Sequence, residues 1–380
     1  MLRSRKIYST VAEEKKSPGL YLSPISIDYK PGQYVKELDG WRFIAVMAVI
    51  LMHYIPRIFM VGWVVMDLFF VLSGFLITGI LLDTKSEKGY YKNFIVRRVI
   101  RLFPLYYLCL FIVFYFIPDS FFDVSYYRNH QIWYWLYSSN WLIALQGWTP
   151  TKMLDHFWSL AIEEQFYVLW PLFVWLLSSK QLMRWCIFLF FASIILRNIG
   201  LNFGFVMPYP YVATIARMEP IALGAIVAVL LRNNKEILER IAPLASLISF
   251  ICIIITFFIA GTVHMENVVI YSVGYTFLDI FFAGMLAITL SKNLPLWARK
   301  FLTHPIIRKI AGMTYCLYVF HVPIHSIMKY KYLPLLQQYT GNELTGFILM
   351  LVIGIGITFP LCYAIHRWIE APLWKLKRFF

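Results

Sequence analysis

Repeated apolar runs constrain this 380-residue chain more than any other feature. Each is roughly 18–22 residues long, enough for a helix to cross a bilayer. Hydrophobic residues make up 60% of the chain and charged residues only 14%, more apolar surface than a soluble domain can bury. The sequence therefore predicts an all-α integral membrane protein, a bundle of about ten transmembrane helices. The predicted spans are 41–58, 62–82, 102–117, 156–177, 183–199, 211–231, 241–260, 268–290, 311–328 and 344–365.

The positions of the basic residues predict the orientation of these spans. With the N-terminus inside, 28 of the 35 Lys and Arg residues fall in inside segments and five in outside loops. Cytoplasmic segments carry this excess, so both termini are predicted to be cytoplasmic. Residues 1–36 are polar and basic without a cleavable signal peptide, which predicts a loose cytoplasmic tail. The transmembrane domain is expected over 37–375, with 376–380 as a C-terminal tail.

Two composition features exclude other classes of protein. The net charge of +15 does not indicate a nucleic-acid partner, because the basic residues punctuate the apolar runs and form no single basic face. The five cysteines all lie inside apolar runs, without a close pair or metal-type spacing. They are expected to be small packing residues, with no disulfide and no metal site. They are Cys109, Cys186, Cys252, Cys316 and Cys362.

Arg42 and His53 share the first apolar run. Eleven helical residues make about three turns, so both side chains point the same way, roughly 16 Å apart along the axis. Ionisable residues inside a membrane helix are costly and indicate function. One is a permanent cation and the other can carry protons near neutral pH, which favours a reaction path within the bilayer.

Two carboxylates are expected near the depth of His53. Asp67 is about five residues into the second span, and Glu163 lies in the outer half of the fourth. His156, Ser159 and Glu163 share one helical face, at offsets of three, four and seven residues. The histidine and the carboxylates could form a base with its orienting acid. The alternative is that these groups satisfy one another and hold helices together.

A basic group precedes the third span. Arg98 and Arg101 are three residues apart and share a helical face, where arginine forks suit phosphates. The alternative is plain positive-inside anchoring.

Weaker candidates lie elsewhere in the spans. Arg217 and Glu219 lie near the outer part of the sixth span, as substrate-binding candidates or as a simple pair. His321 is mid-span, and is as compatible with a structural as with a catalytic function. The stretches Gly354-Ile355-Gly356 and Ser73-Gly74 are expected to permit close helix packing.

Several of these pieces, taken in order, resemble the acyltransferase-3 family of integral membrane proteins. The resemblance covers residues 37–375, with Trp41 where the family commonly has Leu. The pieces are Leu38-Asp39-Gly40-Trp41-Arg42, His53, Asp67 to Ile77, Arg98 and Arg101 before Pro104, Trp158-Ser159-Leu160, Glu163 to Tyr167, Tyr318 to His321, and Glu370-Ala371-Pro372.

This resemblance implies O-acyl transfer, commonly of acetyl from acetyl-CoA, to a carbohydrate or lipid-linked sugar. It implies a bacterial inner membrane and polysaccharide synthesis or export machinery as a partner. Functional residues of the family correspond to Arg42, His53, Arg98 and Arg101. We expect the acyl-CoA phosphates to bind Arg42, Arg98 and Arg101, and His53 to take the acceptor's hydroxyl proton. Asp67 or Glu163 would fix the tautomer of His53, while Ser159 is a further substrate-binding candidate.

Alternatives remain open from the sequence. A covalent acyl-enzyme on Ser73, Ser159 or a tyrosine is one. A transporter or flippase for a sugar-containing or acyl substrate is another, although inverted sequence symmetry is not seen. An inert scaffold in an export complex leaves the intramembrane charges unexplained.

Overall fold

Long helices dominate the structure, a computed structural model that describes residues 24–379. Within these residues there is no strand, only an isolated antiparallel bridge between Ile27 and Ser291. Ten helices in this part of the chain have 14 residues or more. They are α1 (Lys36–Tyr54), α2 (Val65–Thr84), α3 (Tyr90–Phe111), α4 (Phe157–Leu176), α5 (Ser179–Ile199), α6 (Met218–Asn233), α7 (Lys235–Ala260), α8 (Tyr275–Thr289), α9 (Thr314–Ile327) and α10 (Glu343–Ile365).

Shorter helical segments connect or extend these helices. The short α-helices are Pro56–Phe59, Ser125–Asn129, Gln131–Trp135, Ser139–Gln146, Tyr209–Val212, Leu296–Leu302, Pro305–Ala311, Leu333–Thr340 and Ala371–Trp374. The 3₁₀ segments are Met60–Val64, Gly200–Phe203, Thr214–Ala216 and Lys375–Phe379. The π segments, Ile112–Phe116, Ile270–Gly274, Met328–Tyr332 and His366–Glu370, continue or precede long helices.

The all-helical membrane fold is confirmed, but the count of ten crossings is not. Over residues 24–379, six helical stretches are long and apolar enough to cross a membrane, and they contain α2, α3, α5, α7, α8 and α10. A seventh is added if Pro305–Ala311 and Thr314–Thr340, which meet at a 65° bend, form one span. The other three predicted spans fall on α1, α4 and α6. Charged residues interrupt α1 and α4, and α6 has only 16 residues.

Glycines allow α2 and α6 to cross closely near the centre of the protein. A Cβ on Gly74 would clash with the backbone carbonyl of Ile221, and one on Gly224 would clash with that of Val71. The expected close packing at Gly74 is therefore present. In α10, Gly354 packs against the ring of Tyr54, whereas a Cβ on Gly356 would meet open space. Only the first glycine of that pair is needed for packing.

Burial separates central from peripheral helices. Most of α2 is buried within the protein, whereas most side chains of α5, α7 and α10 are exposed or half-buried. The exposed side chains of α7 include Ile248, Phe250, Ile254 and Phe258. A helix that presents such residues outward faces lipid, because lipid tails are as apolar as these side chains.

The described part of the N-terminal segment packs against the bundle. The predicted loose tail covered residues 1–36, of which 1–23 lie outside the described residues. Residues 24–35 are held by backbone hydrogen bonds, from Ile25 N to Glu239 O (3.1 Å) and from Lys292 N to Ser26 O (2.8 Å). Ile25 and Ile27 are buried. At the other end, Lys375–Phe379 continues the helical C-terminus. The buried side chains of Ile25 and Ile27 explain why this N-terminal segment is ordered. The polar composition of the segment as a whole hid these two apolar residues.

The cysteines and the possible metal ligands are considered together because both bear on disulfide or metal chemistry. All five cysteines are free thiols, and all except Cys252 are buried. Across residues 24–379, no group of three or more His, Cys, Asp or Glu side chains is arranged to hold a metal ion.

Candidate active site

A cavity of about 390 Å³ lies between α1, α2, α3, α4, α9 and the C-terminal segment. This volume falls within the range of small-molecule sites. Apolar side chains of α2, such as Phe69, Phe70 and Leu76, form one wall. Cations outnumber carboxylates in the lining, so the cavity suits an anionic ligand. The charged lining residues are Arg42, Arg98, Arg101, Arg308, Lys377, Asp39 and Glu163.

The three arginines predicted to bind acyl-CoA line this one cavity. Arg98 and Arg101 share a face of α3, and Arg42 reaches the cavity from α1. The Arg42 guanidinium is 3.8 Å from the Asp39 carboxylate, one helical turn earlier. The guanidinium of Arg98 lies 5.3 Å from the ring centre of Phe94 and 5.4 Å from that of Tyr167. These rings position Arg98 without neutralising it.

Polar groups of α4 continue the cavity away from the arginines. Ser159, Glu163 and Tyr167 are spaced four residues apart, and all three line the cavity. The Tyr167 hydroxyl is 2.6 Å from Ser73 Oγ, and that of Tyr318 is 2.5 Å from Ser159 Oγ. Tyr318 also donates to the backbone carbonyl of His156 (2.9 Å). The predicted face of α4 is therefore the polar wall of the cavity.

Four histidines lie beyond Tyr318. The ring centres of His53 and His321 are 5.1 Å apart, those of His321 and His156 are 5.5 Å apart, and those of His53 and His325 are 6.2 Å apart. The ring of Tyr318 is 5.8 Å from that of His321. His53 is thus separated from the cavity by His321 and Tyr318 and does not line it. The histidine group could be found only in three dimensions, because its members come from α1, α9 and the turn before α4.

The tautomer of His53 follows from its hydrogen bond. His53 Nδ1 is 2.9 Å from the carbonyl oxygen of Val49. A carbonyl only accepts, so Nδ1 carries the proton and Nε2 keeps its lone pair. His53 therefore presents a basic nitrogen, oriented by its own helix and not by Asp67 or Glu163, as the sequence had suggested. In His321, Nδ1 is likewise 2.9 Å from the Leu317 carbonyl, and the buried Nε2 has no hydrogen-bond partner in the described part of the chain.

Asp67 lies in an ion pair, away from the cavity lining. Its carboxylate pairs with the guanidinium of Arg217, and both side chains are fully buried. Glu219 pairs in the same way with Arg197 of α5. Arg217 and Glu219, considered above as a pair or as substrate-binding candidates, therefore pair with other helices. Arg217 also lies 4.6 Å from the ring centre of Tyr275. We call these four charged residues the buried ion-pair cluster.

Sequence reasoning missed the residues at the mouth of the cavity. Tyr34, Arg308, Trp374 and Lys377 line it but lie in segments interpreted as tails or loops. Tyr34 donates a hydrogen bond to Asp39, and Arg308 Nε lies 3.5 Å from the same carboxylate. The only available signal was the basic and aromatic character of these segments, which positive-inside anchoring explains equally well.

The arrangement combines functions usually found in group transfer from an anionic donor. One end of the cavity carries guanidinium groups, the middle has a carboxylate and hydroxyls, and a basic imidazole lies beyond the other end. Arginine forks bind phosphate in two-point contacts. A neutral histidine with a free nitrogen can accept a proton from a hydroxyl.

Comparison with known proteins agrees with this geometry. A family model described as an acyltransferase domain matches residues 35–367. Peptidoglycan O-acetyltransferase OatA of Listeria monocytogenes is 30% identical, over 90% of this chain and 56% of its own length. O-acetyltransferase OatA of Staphylococcus aureus is 29% identical, over 91% of this chain and 58% of its own.

The chain spans a little over half of the length of these two relatives. No solved structure gives a significant match. The family match extends over most of the chain and includes the first span, the basic face of α3 and the polar face of α4. The resemblance seen in the motifs is confirmed, and the chain belongs to the acyltransferase-3 family of integral membrane proteins.

Proposed function

We propose that this protein is a membrane-embedded O-acyltransferase that moves an acyl group from acyl-CoA to a hydroxyl of a carbohydrate or glycolipid. Acetyl-CoA is the proposed donor, since the named relatives are O-acetyltransferases. One observation carries the proposal: Arg42, Arg98 and Arg101 converge with Ser159 and Glu163 on one cavity. A peptidoglycan-like or other cell-surface carbohydrate is the proposed acceptor class, made available by polysaccharide synthesis or export machinery.

The distribution of charge supports an orientation for the reaction. Arg98, Arg101, Arg308 and Lys377 belong to segments with the cytoplasmic excess of basic residues, so we place the cavity mouth and both termini in the cytoplasm. Acyl-CoA would enter from that side, at the inner membrane of a bacterium. The acceptor would approach from the opposite side, where His53 and His325 lie.

The proposed chemistry follows the order of groups along this path. The donor phosphates bind the arginines, and the thioester reaches the end of the cavity near Ser159 and Tyr318. His53 Nε2 takes the proton of the acceptor hydroxyl as the new C–O bond forms. The C–S bond breaks, and the CoA thiolate takes up a proton, which returns His53 to its neutral form. Glu163 lines the cavity between the arginines and Ser159, on the path that the acyl arm would take.

The proposal is tested with purified protein in lipid, radiolabelled acetyl-CoA and a mixed extract of cell-envelope glycans. Wild type is expected to transfer label to an alkali-labile ester. The variant His53→Ala is expected to lose about 10²–10⁴-fold in rate, the usual contribution of a general base. The matched control is His304→Ala, since His304 is exposed and lies in a loop.

Two results would contradict the proposal. Full activity of His53→Ala would remove the proposed base. Failure of folded wild type to transfer label from any acyl-CoA, together with flux of a sugar-containing or acyl substrate, would favour the transporter alternative.

A further inference from the structure

The C-terminal segment, residues 371–379, closes part of the cavity mouth. It comprises the short helix Ala371–Trp374 and the 3₁₀ segment Lys375–Phe379. Trp374 and Lys377 line the cavity together with Arg101. The segment lies beyond residues 35–367, the part that the family model matches. The family match therefore gives no function to this segment, and its contribution to the cavity is seen in the structure.

Local contacts fix the position of Trp374. His366 Nδ1 is 2.7 Å from Glu370 Oε2, and the ring of His366 lies 5.6 Å from that of Trp374. The Lys377 ammonium is 4.7 Å from the Trp374 ring centre, and the Arg101 guanidinium is 5.8 Å from it. An aromatic ring beside two cations suits a ligand that joins a flat ring to phosphates.

Two side-chain donors at the mouth have no hydrogen-bond partner among residues 24–379. They are Trp374 Nε1 and Arg101 Nε, and both atoms are buried. Buried donors normally find a partner, since leaving one unpaired costs about 1–3 kcal/mol. Both side chains line the same cavity, where the acceptor atoms of a phosphorylated ligand would satisfy them.

We propose that the C-terminal segment binds the nucleotide end of the acyl donor, with Trp374 stacking on the adenine and Lys377 pairing with a phosphate. The inference rests on the proposed function, because it takes acyl-CoA as the donor. The inference further divides the cavity into two binding regions. The arginines of α1 and α3 hold the diphosphate and the arm that carries the thioester, while the C-terminal segment recognises the base.

The test compares acetyl-CoA with S-acetyl-4′-phosphopantetheine, which keeps the phosphate of the pantetheine arm but lacks the adenosine 3′,5′-bisphosphate part. In Trp374→Ala and in Lys377→Ala, the ratio of kcat/KM for acetyl-CoA to that for S-acetyl-4′-phosphopantetheine is expected to fall about ten-fold, a typical loss for one stacked base. Trp374→Phe keeps a stacking ring and should lose less. Trp368→Ala and Lys375→Ala are matched controls, since both residues are exposed and neither lines the cavity.

Binding of adenosine 3′,5′-bisphosphate to the full-length protein in detergent gives a second readout. The affinity should weaken about ten-fold in Trp374→Ala and stay at the wild-type value in Trp368→Ala. An unchanged donor ratio and unchanged bisphosphate binding in Trp374→Ala, with active wild type, would overturn the inference and leave the proposed function intact. Wild type that neither transfers acetyl nor binds the bisphosphate would overturn both.

Discussion

Two groups of charged side chains lie inside this apolar bundle, and they are built in opposite ways. In the buried ion-pair cluster, Asp67 pairs with Arg217 and Glu219 pairs with Arg197, with all four side chains fully buried. In the cavity, Arg98 and Arg101 have no carboxylate partner within salt-bridge distance among the described residues, and they face open volume. The first group joins helices to each other, whereas the second faces a space that a ligand can fill.

The difference shows how to interpret an ionisable residue in a membrane segment. Such a residue is costly in either case, and the cost is offset by a partner on another helix or by a ligand. Residue type and depth alone do not distinguish the two cases. The presence of open volume beside an unpaired guanidinium does. Here it supports the proposal that Arg98 and Arg101 bind a ligand, whereas Asp67 pairs with Arg217.

The largest expected effect comes from breaking the buried ion-pair cluster. Arg217→Leu leaves the Asp67 carboxylate buried without its partner. Removing one member of a buried pair typically lowers the free energy of unfolding by about 3–5 kcal/mol. A strong decrease in the thermal unfolding temperature of the purified protein in detergent is therefore expected, measured beside wild type.

The double variant Asp67→Leu with Arg217→Leu serves as the control. Because the Asp67 carboxylate is removed together with its partner, most of the lost stability should return. A single variant as stable as wild type would show that the pair does not hold α2 and α6 together. Acetyl transfer by the stable double variant would further show that Asp67 is not a catalytic carboxylate.

The second effect is intermediate and concerns the cavity. Arg98→Ala should leave the unfolding temperature nearly unchanged, because Arg98 contributes to no ion pair among the described residues. The KM for acetyl-CoA should rise about ten- to hundred-fold, since a hydrogen bond to a charged group contributes roughly 1.5–3 kcal/mol. Steady-state kinetics in lipid measure this change. Arg97→Ala is the matched control, as Arg97 is exposed and does not line this cavity. If both variants raised the KM equally, Arg98 would attract anions in a general way and would not bind the donor specifically.

Periodicity within one helix made part of this site predictable. The spacing of Arg98 and Arg101 placed both on one face of α3, and that of Ser159 and Glu163 placed both on one face of α4. Each prediction depended only on the helical repeat, which a long apolar run fixes. The all-helical membrane fold followed for the same reason.

Pairing between helices was beyond the reach of the sequence. Arg217 and Glu219 are two residues apart, a spacing at which helical side chains do not face each other, and each pairs with a different helix. Asp67 and His53 were predicted at a similar depth in the membrane, which suggested that Asp67 orients His53. Depth alone, however, does not fix the direction in which a side chain points around its helix axis. The mouth residues Trp374 and Lys377 join the cavity because the helical stretch of α10 continues to Phe379 and packs there against α3, a contact that no local pattern specifies.

The smallest expected effect lies where the cavity meets the histidines. Tyr318→Phe removes the hydroxyl that contacts Ser159 but keeps the ring between the cavity and His321. A neutral hydrogen bond contributes about 0.5–1.5 kcal/mol, so kcat should fall about two- to ten-fold, with KM for acetyl-CoA close to the wild-type value. Ser159→Ala should give a loss of similar size, and the double variant little more, because both single variants remove the same bond.

A loss of 10³-fold or more in either single variant, with a trapped labelled acyl-protein in wild type only, would instead identify that hydroxyl as a covalent acyl carrier. The comparison between paired and unpaired groups would then need a third class, in which a hydroxyl already bonded in the resting protein performs the chemistry.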